Sequence, residues 1–294
     1  MSEAAQTLDL GRLSGPVLVF GGPYSNLAAT QAMQLQAKLL GIPPSQIICT
    51  GDVIAYCAEP QETLQLIRDW GISVVQGNCE ESLGADAPDC GCGFEAESTC
   101  SLLSVEWYQY ATRKISTDDR SWMQNLPKSL NFKLAAHRFK VVHGGVQQIN
   151  RFIFPSTPAA VKREELELAG CDILIGGHSG IPWGENIGDR VWLNSGVIGL
   201  PANDGTADGW YLLLTPETNG IRCSWPRLSY AAAQSGQNMR KAGLKSGYAE
   251  TIVTGLWPSM DILPQAEKAQ RGKAISMKDL VYSGRKRRSN DQNI

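Results

Sequence analysis

Four residues of the types that bind hard divalent metals stand beside glycine at the ends of short apolar runs. Asp52 follows one run in Thr50-Gly51-Asp52-Val53, Asn78 another in Gly77-Asn78-Cys79-Glu80, His143 a third in Val142-His143-Gly144-Gly145, and His178 a fourth in Gly176-Gly177-His178. Hard cations need oxygen and imidazole donors brought to one point, and loops at the carboxyl ends of strands in an α/β sheet deliver them readily. The flanking glycines let the backbone turn sharply and let an ion or phosphate come close. Taken singly, each stretch is an ordinary turn or a hydrogen-bonded histidine. Jointly they say more, because the chain has only 3 histidines and two occupy such positions, while His137 falls in a predicted hairpin turn. An Asp, an Asn and two His make a mixed oxygen and nitrogen set suited to manganese, iron or zinc.

Cysteine supplies the second chemically suggestive group. The chain has 8 cysteines, many for a reducing compartment, where grouped thiols bind metal or react more often than they pair. Cys49, Cys57, Cys171 and Cys223 are scattered, whereas Cys79, Cys90, Cys92 and Cys100 fall in one stretch rich in Gly, Asp and Glu. Four thiols there could hold zinc or iron or serve a redox role, although their spacing matches no standard finger or ferredoxin pattern. An ordinary structural loop is the competing reading.

The elements that must position these residues can be read from alternating apolar runs and helical periods, the pattern of an α/β layered fold. Strands are predicted at Val17–Phe20, Gln46–Thr50, Ser73–Gln76, Ser129–Leu134, Phe139–His143, Asp172–Ile175 and Arg190–Leu193, with a hairpin of Trp210–Leu214 and Ile221–Trp225. Helices are predicted at Leu27–Leu40, Pro60–Asp69, Leu102–Arg113, Ser116–Leu126 and Pro158–Ala169, stopped by Gly41, Pro127 and similar breakers. The Cys79–Cys100 segment shows no sustained period and reads as a long functional loop. Beyond Pro226 two helices, Ala231–Ala242 and Ser246–Gly255, precede a Pro- and Lys/Arg-containing tail.

In order and spacing these motifs resemble the calcineurin-like metallophosphoesterase family, whose run is Asp-x-His, Gly-Asp, Gly-Asn-His-Asp/Glu, a strand-end His and Gly-His-x-His. The corresponding stretches are Gly22-Pro23-Tyr24, Gly51-Asp52, Gly77-Asn78-Cys79-Glu80, His143-Gly144 and Gly177-His178-Ser179-Gly180, with Asn194-Ser195-Gly196 near a similar family strand end. The resemblance spans roughly Pro16–Leu214. It implies a four-layer α/β sandwich, two mixed sheets between helices, with a pair of metals at the sheet ends. Asp52, Asn78, His143 and His178 match the second-site ligands. Gly22, Tyr24 and Gly180 stand where first-site ligands belong, so of that site only the bridging Asp52 remains. Cys79 occupies the place of the His that protonates the leaving group, and Glu80 or Glu81 could supply that proton instead. The resemblance thus marks Cys79, Glu80 and His178 as candidate catalytic groups. Tyr24, Asn26, Arg151, Asn203 and Asp204 are candidate substrate contacts, and the cysteines could fill the vacated half of the site.

Composition sets the bounds. Apolar residues form 43% and charged residues 19% of the chain, ordinary for a folded protein with a sizeable core. Formal net charge is −2; residues 264–294 carry eight Lys/Arg against three Asp/Glu, a net of +5, which leaves −7 elsewhere. The run Arg285-Lys286-Arg287-Arg288 lacks interleaved aromatics and reads as a solvated tail, not a nucleic-acid surface. The start, Met1–Leu10, is polar, and no stretch approaches the ~20 apolar residues of a membrane span. A cytoplasmic protein without membrane partners is expected. The predicted organisation is an N-terminal extension (1–15), a metallophosphoesterase-like domain (16–225), a helical appendage (226–263) and a disordered basic tail (264–294). The leading expectation is a one-metal phosphoesterase acting on a small phosphorylated molecule. A silent metal- or nucleotide-binding sensor on the same fold, and a cysteine-loop metal or redox protein, are the alternatives.

Overall fold

A computed structural model describes residues 7–93, 97–245 and 247–284. Its first half runs β1 (Thr7–Leu13), β2 (Val17–Phe20), α1 (Leu27–Leu39), β3 (Ile47–Cys49), α2 (Pro60–Trp70), β4 (Ser73–Val74), α3 (Asn78–Gly84), α4 (Thr99–Thr112), α5 (Thr117–Gln124), β5 (Ser129–Leu134) and β6 (His137–Val142). There follow α6 (Ala159–Ala169), β7 (Ile173–Gly176), β8 (Trp183–Ile187), β9 (Arg190–Asn194), β10 (Gly209–Trp210), β11 (Leu212–Glu217), β12 (Gly220–Ser224) and β13 (Arg227–Leu228). Helices α7 (Ala232–Lys241), α8 (Tyr248–Thr254) and α9 (Gln265–Lys268) and strand β14 (Leu280–Tyr282) complete the described chain.

Among the described residues two six-stranded sheets form, ordered β14-β12-β11-β2-β3-β4 and β1-β5-β6-β7-β9-β8. Both are mixed: β2, β3 and β4 run parallel, as do β6, β7 and β9, while β11 and β8 join antiparallel. The period of two along β2 explains the layering. Val17 and Val19 face the other sheet with Ile48, Leu212 and Leu214 against Phe132, Val141, Ile175 and Leu193. Leu18 and Phe20 face the helices with Ile47 and Cys49. Under α6, Leu174 and Trp192 pack against Leu166 on the far side of the second sheet. Strands covered on both faces bury every side chain, which is why β2 and β7 read as unbroken apolar runs. The expected four-layer arrangement of helices, sheet, sheet and helices is therefore present.

Several sequence expectations are corrected. Thr7–Leu13, taken as part of an extension, is an edge strand parallel to β5 with a register shift between Asp9 and Arg12. An edge strand buries little, so it carries no strong apolar pattern. The segment taken as a loop from Cys79 instead continues α3, where Glu80 caps the backbone of Gly77. His137 opens β6, and the turn lies at Ala135, whose φ is +52°. Strand β8 was not foreseen. Nor is the region from 264 to 284 a disordered tail, since Glu267 accepts from Ser156 and β14 extends the first sheet beside β12. The run Arg285–Arg288 lies outside the described residues. Helix α7 packs on the core through Ser235, which bonds Asn26 (3.0 Å), and Asn238, which bonds Glu59 (2.6 Å).

A candidate metal centre at the sheet ends

The loop after β3 is held by a close approach to the loop after β4. A Cβ on Gly51, where φ is +96°, would lie 2.6 Å from the Gly77 nitrogen and 2.8 Å from the Val75 oxygen, so only glycine lets the two loops touch. Glu80 then joins them: Oε2 accepts from the backbone N–H of Asp52 (2.7 Å) and Gly77 (3.0 Å), and Oε1 from Val53 (2.8 Å). This carboxylate is fully buried. Glu80 is thus a clamp across the two loops. The Cys79 N–H donates to Asp52 Oδ1 at 3.1 Å, which leaves Oδ2 facing His143.

His143 is fixed at its other nitrogen, because Nδ1–H donates to the Thr50 carbonyl at 2.7 Å. Such a bond sets the tautomer and turns Nε2 into an acceptor. Around Nε2 stand His178 Nδ1 at 2.9 Å, Asn78 Oδ1 at 3.0 Å and Asp52 Oδ2 at 3.3 Å. The Asn78 amide is oriented by Nδ2, which donates to the Cys90 carbonyl at 2.9 Å and aims Oδ1 inward. Four acceptors facing one another in the interior need a positive charge among them. Burial opposes a proton on His143, but the Asp52 carboxylate raises its pKa, so a proton meets that need when no cation does. Burial and the neighbouring His143 push His178 down to about 3, which keeps it neutral and fit to bind an ion.

The donor atoms fit a divalent metal. Ligand–ligand spacings of about 3 Å are the edges expected of a polyhedron with bonds of roughly 2.0–2.2 Å. Asp52, His143 and His178 are all buried, with ligand atoms within 4.8 Å of one another. Asn78 joins them through its oxygen.

The stretches compared with first-site ligands contain no such donor set. A Cβ on Gly22 would lie 2.5 Å from the Tyr24 ring and 2.8 Å from Val197 Cγ1. The space expected there is taken up by Tyr24, Val197 and Trp257, and Cys92 and Cys100 of the cysteine segment line the adjoining cavity. What remains is a cavity of about 50 Å³ beside Asp52 and His178. Tyr56, Phe152, Tyr248 and Trp257 also line it. Sequence reasoning missed Phe152, Tyr248 and Trp257, which carry no motif and lie up to about 100 residues apart. Phe152 packs its ring 4.2 Å from that of His178.

The other predicted site residues fall elsewhere. Asn26 caps α1 and donates to the Gly199 carbonyl (3.0 Å). Arg151 is tied to the buried Glu165 at 2.5 Å. Asn203 accepts from the Trp257 N–H (2.8 Å), and Asp204 binds Arg227 (2.7 Å) and the Ile275 N–H (3.0 Å), so this pair anchors the C-terminal segment. Cys79 is buried in the helical core, with its thiol pKa raised by burial and Asp52. Cys90 and Cys92 form a disulfide, and Cys79 and Cys100 are free and buried. Among the described residues the group of His, Cys, Asp and Glu able to hold a metal includes no cysteine, which argues against a four-thiol metal site. No described helix is long and apolar enough to cross a membrane.

Comparison with known proteins gives one family and several structural likenesses. A calcineurin-like phosphoesterase superfamily domain matches residues 27–219. An uncharacterized protein of Methanocaldococcus jannaschii is 26% identical over 187 residues, 63% of this chain and 70% of its own length. A metallophosphoesterase from Sphaerobacter thermophilus superposes with a TM-score of 0.64 at 19% identity, over 83% of this chain and 100% of that one. A hypothetical protein from Pyrococcus horikoshii does so with a TM-score of 0.69 at 15% identity, over 83% and 99%. At these identities the two structures speak for the fold alone.

Proposed function

Since the chain belongs to the calcineurin-like phosphoesterase superfamily, we propose that it is a one-metal phosphoesterase acting on a small phosphorylated molecule, with Asp52, Asn78, His143 and His178 as ligands. One observation carries the reading: His143 Nε2, made an acceptor by the Thr50 carbonyl, faces three further donor atoms at 2.9–3.3 Å. Manganese, iron or zinc suits that set. Such an ion supplies Lewis acidity and lowers the pKa of bound water.

The chain's own residues do the rest. Glu80 holds the Asp52 loop against the Asn78 loop and so sets the spacing of two ligands. The Cys79 N–H orients the Asp52 carboxylate. The aromatic walls exclude water beside His178, which strengthens every electrostatic contact in the cavity. The Cys79 thiol, raised in pKa and enclosed in the core, packs the site rather than protonating a leaving group.

Elemental analysis of the purified protein, with and without His178→Ala, tests the metal assignment. About one ion per chain, lost in the variant, is expected. Manganese-stimulated hydrolysis of bis(p-nitrophenyl) phosphate or p-nitrophenyl phosphate tests the activity. No turnover by a fully loaded protein across a broad phosphoester panel would favour the silent metal-binding sensor instead.

A further inference from the structure

The cavity that replaces the first-site ligands has a chemistry of its own. Three tyrosines line it, Tyr24, Tyr56 and Tyr248, together with Asp52 and His178, and among the described residues no Lys or Arg lines it. Tyr24 and Tyr248 are 5% and 6% exposed. Their rings and that of Tyr56 form one cluster, with centroids 4.8 Å apart for Tyr24 and Tyr56 and 4.5 Å for Tyr56 and Tyr248. Among the described residues His178 Nε2, which lines the same cavity, is buried with no hydrogen-bond partner. A buried polar atom left unpaired beside a cavity marks a place where a ligand's polar atom belongs.

The backbone presents these groups under strain. Tyr24, Ser25, Asp52 and Tyr56 have φ of +52°, +56°, +57° and +46°. Non-glycine residues in the left-handed region persist only where the surroundings hold them, and they cluster at ligand sites. The ring of Tyr24 packs against Gly22, on the side where an ion shared with Asp52 would have been held.

Charge limits what can bind. A divalent ion would be balanced by the Asp52 carboxylate and by the buried Glu80 carboxylate, which accepts the Asp52 N–H at 2.7 Å, so it leaves little positive charge to meet a ligand. The nearby cations are engaged elsewhere, Lys128 with Glu81 and Arg151 with Glu165. A second negative charge on a ligand would enter an aromatic cavity with nothing to offset it. The cavity volume, about 50 Å³, is a few times the ~10–15 Å³ that one water requires, the scale of a phosphoryl group with small substituents.

We propose that the Tyr24 hydroxyl stands in for the missing second ion by donating a hydrogen bond to a phosphoryl oxygen, and that the site therefore selects a monoanionic phosphodiester over a dianionic monoester. The inference rests on the phosphoester reading above. A phenol of ordinary pKa, about 10, keeps its proton at pH 8 and can donate.

The test is calorimetric binding of dimethyl phosphate and methyl phosphate to the manganese-loaded full chain at pH 8, where the monoester, with a second pKa of about 6, is a dianion. A metal site alone prefers the dianion. Here the diester is expected to bind about tenfold more tightly, and Tyr24→Phe, with unchanged manganese content, to weaken it by about tenfold, as loss of one hydrogen bond to a charged group does. Tighter or equal binding of methyl phosphate, which needs no variant to detect, overturns the inference. So does diester binding that Tyr24→Phe leaves unchanged, while the phosphoester reading survives. If neither compound binds the loaded protein, the inference and the reading beneath it both fall.

Discussion

The Glu80 carboxylate accepts the backbone N–H of Asp52 at 2.7 Å, although the two lie 28 positions apart in sequence. Through that bond and those from Gly77 and Val53, a residue outside the donor set fixes the distance between the loops carrying Asp52 and Asn78. Burial and the Asp52 charge push its pKa up to about 7, against the backbone donors that pull it down.

Glu80→Ala should leave the buried N–H groups of Asp52, Val53 and Gly77 without their acceptor, together with the longer bond from Ile54 (3.4 Å). At about 1–3 kcal/mol for each such group, a loss of at least about 3 kcal/mol in unfolding free energy is expected, read from the urea midpoint. Metal affinity should fall by about 10–100-fold, as for other residues that orient ligands, in a titration against a chelating indicator.

Restoring the first-site ligands should not restore a second ion. Gly22→Asp places a Cβ against the Tyr24 ring at a φ of +42°, so the single variant should melt at lower temperature. Adding Tyr24→His and Gly180→His removes the ring, but Val197 remains 2.8 Å from the Gly22 Cβ position and Trp257 lies beside Gly180. Elemental analysis of the triple variant is expected to find no more metal than in the natural protein. A second equivalent would show that Val197 and Trp257 yield.

Asp204 predicts an acid-side stability change. Burial alone would raise its pKa, but the Ile275 N–H, the Thr206 hydroxyl and the Arg227 guanidinium lower it below the ordinary value. A folded pKa below the unfolded one, about 3.9, contributes stability above that value that is lost as pH falls through the folded pKa. Asp204→Asn should therefore be less stable than the natural protein at pH 7, with the gap closing towards pH 2. Thermal midpoints across that range will show whether it closes.

Strand β14 should matter to the fold. Truncation after Asp279 removes its pairing with β12 and the Tyr282 side chain, which donates to the Asp189 carbonyl (2.9 Å) and packs on His137 (4.9 Å). Loss of one large buried aromatic is worth about 3 kcal/mol, so a clear drop in the denaturant midpoint is expected. An unchanged midpoint would mean that β14 is dispensable.

Much of the architecture was legible in the chain itself, for a local reason. Val17–Phe20 is a strand because it is buried on both faces and therefore wholly apolar, and Asn26 and Gly41 bound α1 by short-range capping and turn chemistry. Asp52, Asn78, His143 and His178 could be singled out because each follows an apolar run with glycine beside it. Edge strands β1 and β14 and the short β8 escaped notice, since half-buried strands need little apolar pattern.

The sequence by itself determined the layered fold and which side chains could meet at the sheet ends, because strand burial and glycine-permitted turns are properties of a few neighbouring residues. Only the tertiary structure decided what surrounds them. Glu80 became a clamp because its carboxylate reaches a donor 28 residues away, and Asn203 and Asp204 became anchors because Trp257 and Ile275 return to them. Tyr24, Tyr56, Tyr248 and Trp257 became one wall because α8 and the segment after it pack over the cavity. An isolated tyrosine has no period or spacing to betray it, and its role depends on neighbours that chain folding alone supplies.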